Sequence, residues 1–270
     1  MKFSVLLSVY HKEKPHFLEK AVSSVINQTV RPNEIVLVKD GPIGSKLNEV
    51  IKVFVESYPD LFNIIELKHN KGLGKALSIG INNCKYDLIA RMDTDDIAKK
   101  NRFEKQIELF RKHPNLDIVG SWVDEFQDEI TNVLSKRKVP ETSKQIMEFS
   151  KKRNPFNHPT VMYKKKAVLE AGNYIDFYLN EDYYLWLRML KKGFKGYNIQ
   201  ESLLYFRVNS DTFKRRGGIK YAYQDIKLQN KILKLGLINK FEYIKNIILR
   251  TTVRVLPNII RQYIYKKLLR

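Results

Sequence analysis

At 270 residues and 43% hydrophobic content, the chain suits one large domain, or a domain with an extension, and can bury a true core. Its net charge of +20 is lopsided: residues 1–187 hold 29 Lys/Arg against 25 Asp/Glu, and residues 188–270 hold 20 against 4, so a polyanionic partner is expected, either phosphates in a site, an anionic membrane or nucleic acid. The single Cys84 excludes an internal disulfide, no apolar run nears the ~20 residues of a membrane span, and the N-terminus is too short for a signal peptide; together these fit a reducing, cytoplasmic compartment.

Residues 3–9 read as a buried strand. A polar loop, Tyr10–Lys14, leads to Pro15 and a helix with Phe17, Leu18, Ala21, Val22, Val25 and Ile26 at helical spacing. Glu34–Lys39 is a second strand, ended by Asp40-Gly41-Pro42, and Leu47, Val50, Ile51, Phe54 and Val55 mark a second helix. Asn63–Leu67 is a third strand, and Lys71-Gly72-Leu73-Gly74-Lys75 opens a third helix. Asp87–Met92 is a fourth strand, closed by Asp93-Thr94-Asp95-Asp96 and followed by a helix through Phe103, Ile107 and Phe110. Strand and helix alternate four times, which argues for a parallel sheet covered on both faces. Beyond Pro114 the rhythm changes. A strand at Leu116–Val123, a polar hairpin or insert at Glu125–Pro140 and a helix near 141–153 lead into Asn154-Pro155-Phe156-Asn157-His158-Pro159, which its two prolines keep irregular. Met162-Tyr163 is a short strand, Lys164–Ala171 a helix stopped by Gly172, and Glu181-Asp182 opens a strongly apolar helix ended by Gly193.

Several stretches each admit two readings. The carboxylates of Asp93, Asp95 and Asp96 either hold a hard divalent cation or form a solvated acidic turn. Asp40 either meets a nucleobase or ribose or closes an Asx-turn. The Lys71–Lys75 turn either approaches phosphate or is only a turn; it lacks P-loop spacing. Glu181 and Asp182 either supply a general base or complement a helix dipole. His158 either lines an acceptor pocket or satisfies irregular backbone. Arg207, Arg215 and Arg216 either clamp a diphosphate or belong to a solvated basic region.

The order of these features narrows the choice. A strand-end Asp, a basic glycine turn, Arg91-Met92-Asp93-Thr94-Asp95-Asp96, then Glu181-Asp182-Tyr183-Tyr184-Leu185-Trp186-Leu187-Arg188 and paired arginines resembles family 2 glycosyltransferases of the GT-A fold. Asn27-Gln28-Thr29 adds to the likeness, which covers about residues 3–218 and is nearest to bacterial enzymes of capsule, exopolysaccharide and O-chain synthesis. The resemblance implies an α/β, Rossmann-like, mostly parallel sheet flanked by helices. Residues 1–218 would be the catalytic domain, with a nucleotide-binding half at 1–115 and an acceptor-binding half at 116–218; residues 219–270 would be a basic helical extension.

The resemblance also implies roles. Val9, Tyr10, Asp40, Lys75, Arg91, Asp93, Thr94, Arg215 and Arg216 would bind the nucleotide-sugar. Asp95, with Asp93, would hold Mn²⁺ or Mg²⁺, and Asp96 would cap the following turn or hold Arg102. Asp182 would be the base, with Glu181 its less favoured alternative, and His158 and Trp186 would line the acceptor site. The implied reaction moves one sugar from a UDP-sugar to a glycan hydroxyl, on an acceptor carried free or on a polyprenyl diphosphate, with inversion. The implied setting is peripheral, at the inner face of the plasma membrane. Relatives often carry a histidine shortly after the position of Arg207; here Asn209 stands nearby. In the tail Phe241, Ile244, Ile247 and Ile248, and later Ile259, Ile260, Tyr263 and Ile264, form apolar faces among Lys and Arg, either to lie on an anionic membrane or to pack on the domain. Two rival functions are a nucleotidyltransferase, whose usual glycine-rich opening loop is missing, and a nucleic-acid-binding module. Buried-type strands and the acidic loop argue against nucleic acid as the partner.

Overall fold

A computed structural model describes residues 1–208 and 218–256. Four strands, Phe3–Val9 (β1), Glu34–Lys39 (β2), Phe62–Glu66 (β3) and Leu88–Arg91 (β4), run parallel in the order β3-β2-β1-β4. Both faces of β1 are covered, so it is apolar on both: Phe3, Val5, Leu7 and Val9 enter one core and Leu6 the other. The helices Pro15–Ile26 (α1), Ser45–Ser57 (α2) and Arg102–Lys112 (α4) cover the first face, and Leu73–Asn83 (α3) lies on the second. The approach of α3 is close: a Cβ on its Gly80 would sit 2.3 Å from Leu6 Cδ1.

Beyond β4 the sheet becomes mixed. Met162–Lys164 (β8) pairs antiparallel with β4 and with Ile118–Phe126 (β6), and Gly196–Arg207 (β9) runs parallel to β6. The two-residue Ile97–Ala98 (β5) closes onto β9, and Val133–Arg137 (β7) makes a hairpin with β6. Ser143–Ser150 (α5), Lys165–Glu170 (α6) and Glu181–Lys191 (α7) pack on this half. Strand order reverses at β1, which leads outward to β2 and β3 and has β4 on its other side. Ligand crevices of open α/β sheets lie at such a switch, outside the carboxyl ends of the strands. Tyr10, Asp40 and Asp93 all stand at those ends.

Two further helices, Ile219–Lys234 (α8) and Lys240–Val255 (α9), form a hairpin on α7. Leu228, Ile232 and Ile238 bury against Tyr183, Tyr184 and Leu187. One face of α9 is tied inward by polar bonds: Asp225 accepts from Arg250 at 2.6 Å and Arg254 at 2.7 Å, and Asn246 donates to the Lys151 carbonyl at 3.0 Å. The helix ends at Val255 because Pro257 disfavours helical backbone at the residue before it, and Leu256 is extended at ψ 148°. Packing on the domain, one of the two uses expected of the tail, therefore holds for α8 and α9. Ile259 and Ile260 lie outside the described residues. Asp225→Ala would remove the carboxylate that Arg250 and Arg254 share. It should cost roughly 2–3 kcal/mol in a denaturant melt, below the ~3–5 for a fully buried pair because the arginines keep contact with water.

Candidate active site

The acidic loop is built where β4 runs out of partners. β1 and β4 pair as far as Leu6 and Arg91, and the Met92 N–H then closes on the Leu6 carbonyl at 3.1 Å. Carboxylate oxygens of Asp93, Asp95 and Asp96 come within 4.8 Å of one another. Arg207, from the end of β9, fixes the loop: its N–H meets Asp96 Oδ1 at 2.8 Å and its Nε the Asp95 carbonyl at 2.9 Å. Its guanidinium lies over Phe17 and Phe126, 3.9 and 4.4 Å from the ring centroids. Arg207 therefore shapes the loop rather than clamping a diphosphate. Asp96 does not hold Arg102 as expected; Arg102 donates to the Arg91 carbonyl at 2.7 Å and to Gln106.

Burial, then Asp93 and Glu13, push the Asp95 carboxyl up to about 7. Burial, then Asp95 and Asp93, drive Asp96 well above the ordinary range, and its Oδ2 is buried with no hydrogen-bond partner. Crowded carboxyls with an orphaned oxygen fit a hard divalent ion, which would compensate all three. Thr94, expected to touch the nucleotide-sugar, is instead buried and gives its hydroxyl to Glu13 at 2.6 Å.

Asp40 is also buried. Its two oxygens accept from the Lys71 and Gly72 N–H groups at 2.7 and 3.0 Å, so it organises the basic glycine turn. Gly41 is required beside it: φ is +86°, and a Cβ would lie 2.6 Å from Asn70 N. Val9 is buried and its carbonyl accepts the Asp40 N–H at 2.8 Å, whereas Tyr10 and Lys75 are exposed at the crevice end of the strands.

Asp182 lies in the first turn of α7. Its Oδ1 accepts from the Tyr183 N–H at 2.6 Å and its Oδ2 from Asn154 at 2.7 Å. His158 Nδ1 stands 3.9 Å from that Oδ2, and its Nε2 meets Tyr174 Oη at 2.7 Å. Burial, then Arg91, holds His158 well below the usual imidazole range, so it is neutral. Burial raises Asp182, and the Tyr183 and Asn154 bonds restrain the rise. Burial, then Asp182, lifts Glu181 to about 7, with Asp93 near enough to contribute. Gly74 draws the basic turn onto this helix, since a Cβ there would lie 3.2 Å from Glu181 Cβ.

Two expected ligands are corrected. Arg91 is wholly buried and pairs with Asp93, so it cannot reach a nucleotide; burial works against its charge, but Asp93 overrides that and holds its pKa up. Trp186 is wholly buried among Phe156, His158, Tyr163 and Tyr174, with centroids 5.8 to 6.1 Å away, so it backs His158 instead of facing an acceptor. Arg215 and Arg216 lie outside the described residues. Glu13, Asn154 and Tyr174 join the site without having been singled out. Only Asn154 left a signal, as the polar residue between the end of a helix and Pro155.

Folding binds protons at these carboxyls, since Asp95 and Glu181 move from 3.8 and 4.5 up to about 7. The stability they allow is complete below the unfolded values and is lost as pH rises toward 7. A cation binds only the ionised form. Mn²⁺ should therefore raise the melting temperature more at pH 8 than at pH 6, and equal shifts at both would discount the cluster as a metal site.

Comparison with known proteins agrees with this geometry. The model of Glycosyl transferase family 2 matches residues 4–171. An Escherichia coli protein, UDP-Gal:alpha-D-GlcNAc-diphosphoundecaprenol beta-1,3-galactosyltransferase, is 43% identical over 100% of this chain and 97% of its own. The amylovoran biosynthesis glycosyltransferase AmsE of Erwinia amylovora is 37% identical over 98% of each chain. Among solved structures, S. aureus TarS 1-349 in complex with UDP-GlcNAc superposes with a TM-score of 0.68 at 15% identity, covering 100% of this chain and 76% of TarS. The mannosyltransferase PcManGT of Pyrobaculum calidifontis, solved with GDP-Man and Mn²⁺, gives 0.64 at 13% identity, covering 93% and 69%. The fold is thus that of the GT-A glycosyltransferases, and the chain belongs to glycosyl transferase family 2.

Proposed function

We propose that this glycosyltransferase moves one galactose-type sugar from a UDP-sugar to a hydroxyl of a polyprenyl-diphosphate-linked glycan, with inversion. One relation supports the reading: buried Arg91 pairs with Asp93 and lies within electrostatic reach of Glu181 and Asp182, which favours a cation-suited loop and a candidate base in one crevice. The Escherichia coli relative's name supplies the donor and acceptor to test first.

Asp182 takes the proton from the acceptor hydroxyl. The freed oxygen pair forms the new bond at the anomeric carbon while the bond to the UDP β-phosphate oxygen breaks, and UDP departs with that electron pair. A single in-line displacement inverts the anomeric centre, so an α-linked UDP-sugar yields a β-glycoside. Asn154 and the Tyr183 N–H hold the Asp182 carboxylate in place. Asp95 and Asp93 would hold Mn²⁺ or Mg²⁺, which supplies positive charge to the leaving diphosphate when bound. Asp40, Lys75, Val9 and Tyr10 form the nucleotide side, and Arg215 and Arg216 would add charge over the diphosphate. Residues 1–115 serve mainly the donor and 116–218 the acceptor. No described helix is long and apolar enough to cross a membrane. Access to a lipid-linked acceptor would be peripheral, from an anionic surface.

The test is UDP release from UDP-galactose, UDP-glucose and their N-acetyl forms with Mn²⁺ and a GlcNAc-diphospho-lipid acceptor. Turnover with one donor is expected. Silence with every donor would defeat the reading, and pyrophosphate as the product would indicate nucleotidyl transfer instead.

A further inference from the structure

We infer that the outer face of α9 docks this protein on an anionic lipid bilayer, beside the acceptor half of the site. Phe241, Ile244 and Ile248 recur at spacings of three and four and so share one helix face, with Leu249 at its edge. Each is more than half exposed. Such contiguous apolar surface on a soluble domain marks a contact site. The orientation of α9 is fixed, because its other face is bonded inward: Tyr243 to Asn230 at 2.6 Å, Asn246 to the Lys151 carbonyl, and Arg250 to Asp225 and to the Lys152 carbonyl.

Charge selects the occupant. Exposed Lys240 and Lys245 flank the apolar face, exposed Lys227, Lys231 and Lys234 lie on α8, and the sequence runs on through Arg261, Lys266, Lys267 and Arg270 without a carboxylate. A second copy of a chain with a net charge of +20 would meet this basic face with its own, which disfavours self-association. An apolar stripe rimmed by lysines matches an anionic bilayer, which takes the stripe at its headgroup boundary and the lysines at its phosphates. Place agrees with charge. The turn at Lys151 and Lys152 that anchors α9 leads directly to Asn154, the Asp182 partner, so a docked α9 would present the acceptor side to lipid. The lipid-bound acceptor in this inference rests on the function proposed above; the docking itself does not.

The test uses the full chain, sedimented with vesicles of phosphatidylglycerol and phosphatidylethanolamine and, separately, of phosphatidylcholine alone. Binding to the anionic vesicles, weakening with salt, is expected. Ile248→Asp with Phe241→Asp should weaken it on the order of tenfold or more. UDP release to a short-chain, water-soluble acceptor should stay unchanged, so loss of docking and loss of activity read separately. Ile244→Cys gives a second readout, since Cys84 is buried and its thiol is pushed up to about 12, leaving one reactive site for an environment-sensitive dye. A blue shift only on adding anionic vesicles supports docking. A dye already shielded in buffer, by residues 257–270 or by a second copy, overturns it, as does vesicle binding unchanged in the double variant.

Discussion

Asp182→Asn should lower kcat by roughly 10²- to 10⁴-fold, the usual worth of a positioned general base, with little change in donor binding. The amide keeps the shape of the carboxyl and its oxygen can still accept from the Tyr183 N–H, while its NH2 requires the Asn154 amide to turn over and accept, so the start of α7 should survive. The proton acceptor is what disappears. In the native protein burial raises the Asp182 pKa, so its rate should climb with pH as the carboxyl ionises and then level off. The variant should lose that rising limb as well as its amplitude. Stability should hold or rise slightly, because burial of this charge works against folding above its titration. Glu181→Gln is the companion measurement. It is half-buried beside Asp182, yet no described side chain is bonded to its carboxylate in the way that Asn154 orients Asp182. If Glu181→Gln takes the large loss and Asp182→Asn stays within a few-fold of native, the base has been misassigned.

The parallel half of the sheet was readable because its signals are local. β1, β2 and β4 are short apolar runs followed by Tyr10, Asp40 and the Asp93–Asp96 loop, so periodicity placed these residues at strand ends, and the order of motifs suggested their roles. The mixed half of the sheet was less readable because its contacts are distant in sequence. β9 is twelve residues long, but Asn198, Gln200, Glu201 and Ser202 interrupt its apolar pattern, and its pairing with β6 shifts register twice. Asn198 is buried because its amide bonds the Pro140 and Pro155 carbonyls, which no alternation rule reveals. Thr94 and Glu13, 81 residues apart, meet only through the fold. Arg91 and Trp186 mark the limit of motif reading: a motif says that a residue matters but not whether it faces the crevice or supports it from below.

Arg91→Met should cost roughly 2–3 kcal/mol, below the ~3–5 for a fully buried pair because Asp93 keeps contact with water, and lower the melting temperature by roughly 4–12 °C. Methionine nearly matches the length of arginine, so little cavity should form and the loss is electrostatic. Arg91 is the cation beneath Asp93, and it also restrains the rise of Asp95, Asp96, Glu181 and Asp182. Without it these carboxyls would titrate still higher. The deficit should be smaller in acid, where they are neutral in both states, and should widen as pH rises through 7. Mn²⁺ should recover part of the loss at pH 8, since a bound cation offsets the same cluster. Arg91→Lys should fall between, because a shorter ammonium supplies the charge but reaches Asp93 less well than the single guanidinium nitrogen that now bonds it. The contrary outcome is equally concrete: native melting at every pH, with weakened UDP binding alone, would return Arg91 to the nucleotide-contacting role that its motif suggests and would remove the shared buried cation from the proposed mechanism.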